Sequence, residues 1–250
     1  MSQVLEKAVY LVDLVAKGIT TLTDIAKAAD MSRSTTHRLL GALVDANYLA
    51  FENKRYALGY RLLELGEMKK RSLDFIEVCR PVLVRYMELT QDTLHLAVID
   101  GQDIVLLDRV AGHRQLRINS YPGLRNKAFM TAVGKVLIGN QPEETWKTQL
   151  RSYPAGYAKT VEQLMQDFRL AQKTNVARDI DECNVGTCGI ASSFMVNNRL
   201  RIACSINGAT VYFPPQRMEE LVPVVRQLAE DLREAIDYSV RGGEFLLPGE

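Results

Sequence analysis

The sequence predicts an α+β protein in two parts, a small helical N-terminal part closed by a hairpin and a larger part that mixes antiparallel hairpins with helices. Three observations carry this. Residues 1–58 contain no proline and show helix signals almost throughout. Leu94–Asp100 and Asp103–Val110 are strand-like runs joined at Asp100-Gly101-Gln102, a hairpin signal. Gly189–Val196 and Arg199–Asn207 repeat that pattern about Asn197-Asn198, and hairpins interspersed with helices indicate an α+β domain.

Along the chain, Leu5, Ala8, Val9, Val12 and Val15 recur at helical spacing and predict a first amphipathic helix, which Gly18 stops. Thr21-x-x-Asp24 resembles a capping box, with Leu22, Ile25, Ala26 and Ala29 as the apolar stripe of a short second helix. Ala29-Asp30-Met31 reads as a tight connection. Ser32 is a good N-cap for a third helix to about Asp45, with Leu39, Leu40, Leu43 and Val44 inward. Tyr48–Phe51 and Arg55–Leu58 are short strands about Glu52-Asn53-Lys54. A connecting helix is expected over 60–72, and another over Asp74–Thr90 with a kink or new start at Pro81. Met130–Gly139, Glu143–Arg151 and Val161–Gln172 look helical. Pro215 opens a last helix to about Ser239, kinked or interrupted at Pro223. The domain expectation is therefore residues 1–59, a linker helix over 60–75, and a second domain over 76–250. No internal repeat or low-complexity segment is visible.

Composition limits the function classes. The 250 residues are 47% apolar and 24% charged, ordinary for a soluble globular chain. Thirty-one basic against 30 acidic residues give a net charge of +1, which excludes binding nucleic acid by bulk charge but leaves room for a local patch. No run approaches the ~20 apolar residues of a membrane span. Glu6 and Asp13 interrupt the N-terminal apolar pattern, unlike a signal peptide, so a cytoplasmic protein without a membrane partner is expected. Four cysteines are too sparse for a disulfide scaffold, and Cys183-x4-Cys188 lacks a second pair, so no metal and no cofactor are expected.

The chemistry of the first part lies in its third helix. The apolar stripe would pack the helix onto its domain and leave Ser34, His37, Arg38 and Gly41 on the free face. A helix fits the major groove of B-DNA, and its N-terminal residues reach base edges. Helix-start N–H groups and the hydroxyls of Ser32, Ser34, Thr35 and Thr36 suit phosphate oxygens. The hairpin tip Asn53-Lys54-Arg55 would add a cationic wing. The candidate DNA contacts are therefore Ser32, Arg33, Ser34, Thr35, Thr36, His37, Arg38, Lys54 and Arg55. In residues 1–58, seven Lys/Arg face six acids, so one copy should bind weakly, and a pair of copies on a palindrome is expected.

At Ser34-Thr35-Thr36-His37-Arg38-Leu39-Leu40 the chain resembles the recognition-helix signature of the IclR family of bacterial transcription regulators, with Asn47 in place of the family's glycine before Tyr48-Leu49. Arg55–Gly66 resembles that family's wing and linker start, Asp92–Val110 its first effector-domain hairpin, and Met130–Gly139 its Ala-Thr-Ala-x-Gly-Lys helix. Arg178–Phe194 is similar to a further family stretch, and the likeness spans about residues 4–240. It implies a winged helix-turn-helix on a GAF-like effector-binding domain, with a dimer or tetramer on double-stranded operator DNA. It also implies a pocket for a small organic acid, such as a sugar acid, or an aromatic compound. By alignment the pocket would include Ala128, Asp179, Gly189, Ser205 and Asn207. Many relatives carry cysteine at Gly189, histidine at Phe129, proline at Ser193, and serines at Ser205 and Asn207. Strand alternation would point some of Asp179, Ser205 and Asn207 into one cavity, where hydroxyl and amide groups could orient a carboxylate or a polyol.

Repression of a catabolic operon is the expected activity, with activation as the alternative. An enzyme on the second domain is the rival class, but no Gly-x-Ser-x-Gly elbow, phosphate loop or His-Glu-x-x-His occurs. A redox pair of Cys183 and Cys188 is a third class, disfavoured by the neighbouring Asp181 and Glu182. Cys188 is read as a core residue rather than a pocket thiol.

Overall fold

The computed structural model describes residues 3–196 and 200–241, and the chain divides into two compact units, one up to Leu73 and one from Asp74. No helix among the described residues is long and apolar enough to cross a membrane.

The first unit follows the expected order: α1 (Gln3–Ala16), α2 (Leu22–Ala28), α3 (Arg33–Asp45), β1 (Leu49–Glu52), β2 (Arg55–Leu58) and α4 (Tyr60–Arg71). Its core gathers Leu11, Leu14 and Val15 of α1, Ile25 of α2, Leu39 and Leu40 of α3, and Leu49 and Tyr56 of the hairpin. The buried face of α1 differs from the stripe expected. The expected stripe meets the core only at its C-terminal end, at Val15 with Val12 packed beside it; Leu5 and Val9 are 58% and 55% exposed, and Leu11 and Leu14, each one position off that stripe, complete the buried face. Periodicity alone cannot choose between two overlapping stripes.

Both α2 and α3 end on a left-handed residue other than glycine, Asp30 (φ 49°) and Asn47 (φ 62°). In each, the next amide reaches back to close the turn, Met31 N–H to Ala26 O at 3.0 Å and Tyr48 N–H to Leu43 O at 2.9 Å. Aspartate and asparagine are the side chains that best tolerate this conformation. The hairpin turns on Asn53 and Lys54, both at positive φ, which matches the twist of the paired strands.

The second unit contains α5 (Phe75–Thr90), β3 (Thr93–Asp100), β4 (Asp103–Val110), β5 (Arg125–Lys127), α6 (Ala132–Gly139), α7 (Glu143–Gln149), α8 (Val161–Thr174), β6 (Val176–Ile180), β7 (Thr187–Val196), β8 (Leu200–Ala209) and α9 (Pro215–Arg241). The strands form one antiparallel sheet in the order β5-β4-β3-β8-β7-β6. β5 and β6 are not among the expected strands; they are short edge strands without a clean alternation. The turn about Asn197-Asn198 lies outside the described residues. α5 and α9 run on through Pro81 and Pro223, where breaks were possible.

On one face of the sheet, α6, Trp146 of α7 and Leu164, Phe168 and Ala171 of α8 cover Ala97, Ile104, Ala191 and Ala203. Gly134 lets α6 sit against the turn that precedes it: a Cβ there would stand 1.9 Å from the carbonyl oxygen of Ala128. On the other side, α5 and α9 are joined by Asp231, which accepts from the Tyr86 hydroxyl at 2.9 Å and pairs with Arg85.

Candidate nucleic-acid interface and ligand cavity

In α3 the Ser32 hydroxyl accepts from the Thr35 N–H at 3.2 Å and donates to the Thr35 hydroxyl at 2.9 Å, so the N-cap expected from the sequence is formed. Leu39 and Leu40 are buried beneath the helix, while Arg33, Ser34, His37 and Arg38 are exposed together on its outer face. Thr36 corrects the sequence reading. It is fully buried, and its hydroxyl donates to the Ser32 carbonyl at 3.0 Å, so it fastens the helix start and has no open path to a partner.

Lys54 and Arg55 are exposed on the hairpin. Arg55 donates to the Thr20 hydroxyl at 2.9 Å, and the Tyr56 N–H donates to the Thr20 carbonyl at 2.8 Å, tying β2 to the loop before α2. Arg33 leans to the same region, with its guanidinium 3.5 Å from the Thr23 hydroxyl. The wing and the start of α3 therefore bring two guanidinium groups to the start of α2, while Arg38 has no such tether.

In the second unit, a cavity of about 70 Å³ opens between the sheet and the start of α6. Asp179 of β6 and Ser205 and Asn207 of β8 all line it. The register explains why: Gly189 of β7 pairs with Asp179 on one side and with Asn207 on the other, and Ser205 pairs with His95 of β3. Asp179 accepts from the Ala132 N–H at the start of α6 at 3.0 Å, and Asn207 donates to the Ser205 hydroxyl at 2.7 Å. Gly189 is not itself a wall; its missing side chain leaves the space that the Asn207 amide occupies. Ala128 is a second correction. It is fully buried in the core behind α6 and does not reach the cavity.

The sequence reading missed much of the wall. His95 lies at the cavity with its Nε2 2.8 Å from the Ser120 hydroxyl, and Asn119, Asn126, Thr131, Cys183, Asn184, Thr187 and Cys188 also line it. Cys188, read as core, is indeed 3% exposed, yet it faces this cavity. The pairing of His95 with Ser205 joins positions 95 and 205, too far apart for a local signal, although the alternation of β3 could have placed His95 on the face of Ala97.

Burial sets the electrostatics. It raises the Asp179 carboxyl to about 7, against the opposing pull of the Ala132 N–H and the Lys135 charge. His95 is lowered to about 3, first by burial and then by the Arg109 charge, so its ring is neutral at ordinary pH. Burial pushes the thiols of Cys183 up to about 11 and Cys188 to about 12, which leaves both protonated. Beneath α6, the fully buried Lys135 pairs with Asp167 at 2.9 Å and with Glu182, and Glu182 also accepts from the Tyr157 hydroxyl at 2.9 Å. Lys159 closes this network at 3.1 Å from Glu182. A wider open groove of about 530 Å³ follows β6 between α8 and α9, but it is crossed by the Arg178–Glu219 ion pair and holds none of the expected site residues. No cluster of three or more metal-ligating side chains occurs among the described residues.

Comparison with known proteins agrees with this arrangement. The family model for the C-terminal region of bacterial IclR transcriptional regulators matches residues 69–234, and the IclR helix-turn-helix model matches residues 4–52. The chain is 27% identical over 225 residues to the HTH-type transcriptional regulator KdgR of Escherichia coli, covering 87% of this chain and 86% of that protein. It is 24% identical over 242 residues to the acetate operon repressor of Salmonella typhimurium, covering 92% and 88%. A crystal structure of an IclR homologue from Microbacterium hydrocarbonoxydans, complexed with 4-hydroxybenzoate, shares the fold at a TM-score of 0.78 and 20% identity, over 95% of this chain and all (100%) of that one.

Proposed function

The chain belongs to the IclR family of bacterial transcriptional regulators, and from that premise we propose that it is a cytoplasmic, ligand-responsive repressor of a catabolic operon. Two or four copies hold a palindromic operator, and a small organic acid, such as a sugar acid, occupies the cavity at Asp179, Ser205 and Asn207. The observation that carries this reading is the outer face of α3, where Arg33, Ser34, His37 and Arg38 are exposed over a buried Leu39-Leu40 base. Arg38 and His37 read bases, while Ser32, Arg33, Ser34, Thr35, Lys54 and Arg55 hold the phosphate backbone. The near-neutral charge of this unit supports two copies per site, because one copy gains little from bulk attraction.

The 4-hydroxybenzoate held by a structural neighbour and the polar wall of the cavity support an organic-acid ligand. The name of the Salmonella relative supports repression over activation. The ligand acts by binding more tightly to one arrangement of the chain than to the other, with α4, which joins the two units in sequence, as the element that passes the difference on. Capture of sheared genomic DNA by the purified protein, followed by sequencing, tests the reading. A few sharp palindromic sites are expected, lost in an Arg33→Ala/Arg38→Ala variant. Retention of the same sites by that variant would sink the assignment, and sites lying upstream of promoters rather than across them would favour the activator.

A further inference from the structure

The cavity of the second unit poses an electrostatic problem for the ligand proposed above. Its wall contains hydroxyls, amides and a neutral imidazole, but no lysine or arginine among the described residues, and Asp179 is its one acidic side chain. The cations around it stand outside the wall: Lys135 is turned into its own pairs with Glu182 and Asp167, and Arg109 donates to the Ile118 carbonyl at 3.2 Å. A carboxylate entering the cavity would meet the Asp179 carboxylate in a buried space whose wall holds no cation to stand between them, which is unfavourable in a medium of low dielectric constant.

We propose that the cavity takes a small organic acid together with one proton from solvent, Asp179 meeting the ligand carboxylate as a neutral carboxyl group. One Asp179 oxygen accepts from the Ala132 N–H, Oδ2 at 3.0 Å; the other carries the proton and donates to the ligand. The groups around Asp179 are consistent with this. Lys135 of α6 and Lys159 before α8 favour its charged form, Glu182 after β6 disfavours it, and Tyr157, Cys183, Cys188 and His95 are neutral. Burial outweighs the two lysines and holds the carboxyl near 7, so the proton is available at little cost. The inference rests on the organic-acid reading and adds to it that acidity and ligand are sensed together.

Calorimetric titration of the full-length protein with 4-hydroxybenzoate, pyruvate and D-gluconate, each beside its neutral amide, tests this at pH 6 and pH 8. An acid is expected to bind about tenfold more weakly at pH 8, following the loss of the Asp179 proton around its pKa of about 7, while amides bind alike at both. In Asp179→Asn, which keeps an acceptor for Ala132 and a donor for the ligand, acid binding should be as strong at pH 8 as at pH 6. Equal affinity of the parent for an acid at both pH values, or a pH dependence that survives in Asp179→Asn, would overturn the proposal. Binding of amides but no acids would overturn it and leave the cavity as a ligand site; binding of neither would overturn the organic-acid reading as well.

Discussion

The side-chain oxygen of Asn207 lies 2.4 Å from the point where Gly189 would carry a Cβ. These two residues face each other across the β7–β8 ladder, and one is small because the other is large.

Gly189→Ala should therefore displace the Asn207 amide and weaken ligand binding by about tenfold, equivalent to ~1.4 kcal/mol, with a smaller effect on melting, since the colliding atom ends a movable side chain. Gly189→Ala combined with Asn207→Ser should melt like the parent but prefer different ligands. Thermal shift across a panel of small acids reads both. An additive loss in the double variant would show that the two sites are independent.

At Asn47, the left-handed C-terminal residue of α3, Asn47→Ala should cost about 1 kcal/mol, whereas Asn47→Gly should leave stability unchanged or slightly higher. Urea unfolding followed by circular dichroism distinguishes the two. Equal losses would mean that the Asn47 side chain matters more than its backbone conformation.

Two arginines of the first unit should behave differently on DNA. Arg38→Ala should lower operator affinity more than tenfold and relax sequence preference, in line with the ~1–3 kcal/mol of a bidentate base contact. Arg55→Ala, which loses a group anchored to Thr20, should weaken operator and random DNA alike and flatten the salt dependence by about one unit of slope. Thr36→Val should leave the base preference unchanged while lowering stability, since its buried hydroxyl loses the Ser32 carbonyl. Fluorescence anisotropy at several salt concentrations measures binding by all three variants, and thermal melting reads the stability of Thr36→Val.

Asp179 also predicts a pH dependence without any ligand. Its folded carboxyl is raised to about 7 from an ordinary value of 3.8, so folding favours the protonated group. That contribution is complete below about pH 4 and is lost as pH rises toward 7. His95 runs oppositely: held down to about 3 from 6.5, it favours the neutral ring, and its contribution is lost as pH falls from 6.5 toward 3. Asp179→Asn should raise the melting temperature at pH 8 and leave it nearly unchanged at pH 4. His95→Gln should flatten the acid limb. A parent and Asp179→Asn pair whose difference does not change with pH would contradict the burial argument.

Lys135→Met should destabilise the second unit by about 3 kcal/mol, because it removes the buried cation and leaves the half-buried Lys159 alone to offset both Glu182 and Asp167. Adding Glu182→Gln should recover part of the loss. Chemical denaturation of the three proteins decides it.

The fold was legible where the signal is local. Ser32 as N-cap, the hairpin at Asn53-Lys54 and the β3–β4 turn at Gly101 each announce themselves within a few residues. The face of α1 was not, because two apolar stripes coexist and only packing against α2 and α3 selects Leu11 and Leu14. Thr36 looked like a donor in a run of hydroxyl residues, but helical rotation turns it toward the core, one position from the exposed His37. In the cavity, Asp179, Ser205 and Asn207 came from alternation and family resemblance together. His95 and Ser120 did not, since their neighbours are set by strand order, which brings β3 beside β8 rather than beside anything near it in the chain.

The outermost strand of the sheet, β6, pairs only with β7. Its inner row of bonds holds it to the sheet, while its far border has no neighbouring strand among the described residues to hold it. The cavity's one acid is planted on that strand and tied across to α6. A guest held there works like a stitch through a hem, fastening the border that has fewest threads. Filling the cavity should therefore be visible first as slower amide hydrogen exchange in β6, and emptying it as fraying that begins at that border while the middle of the sheet stays closed.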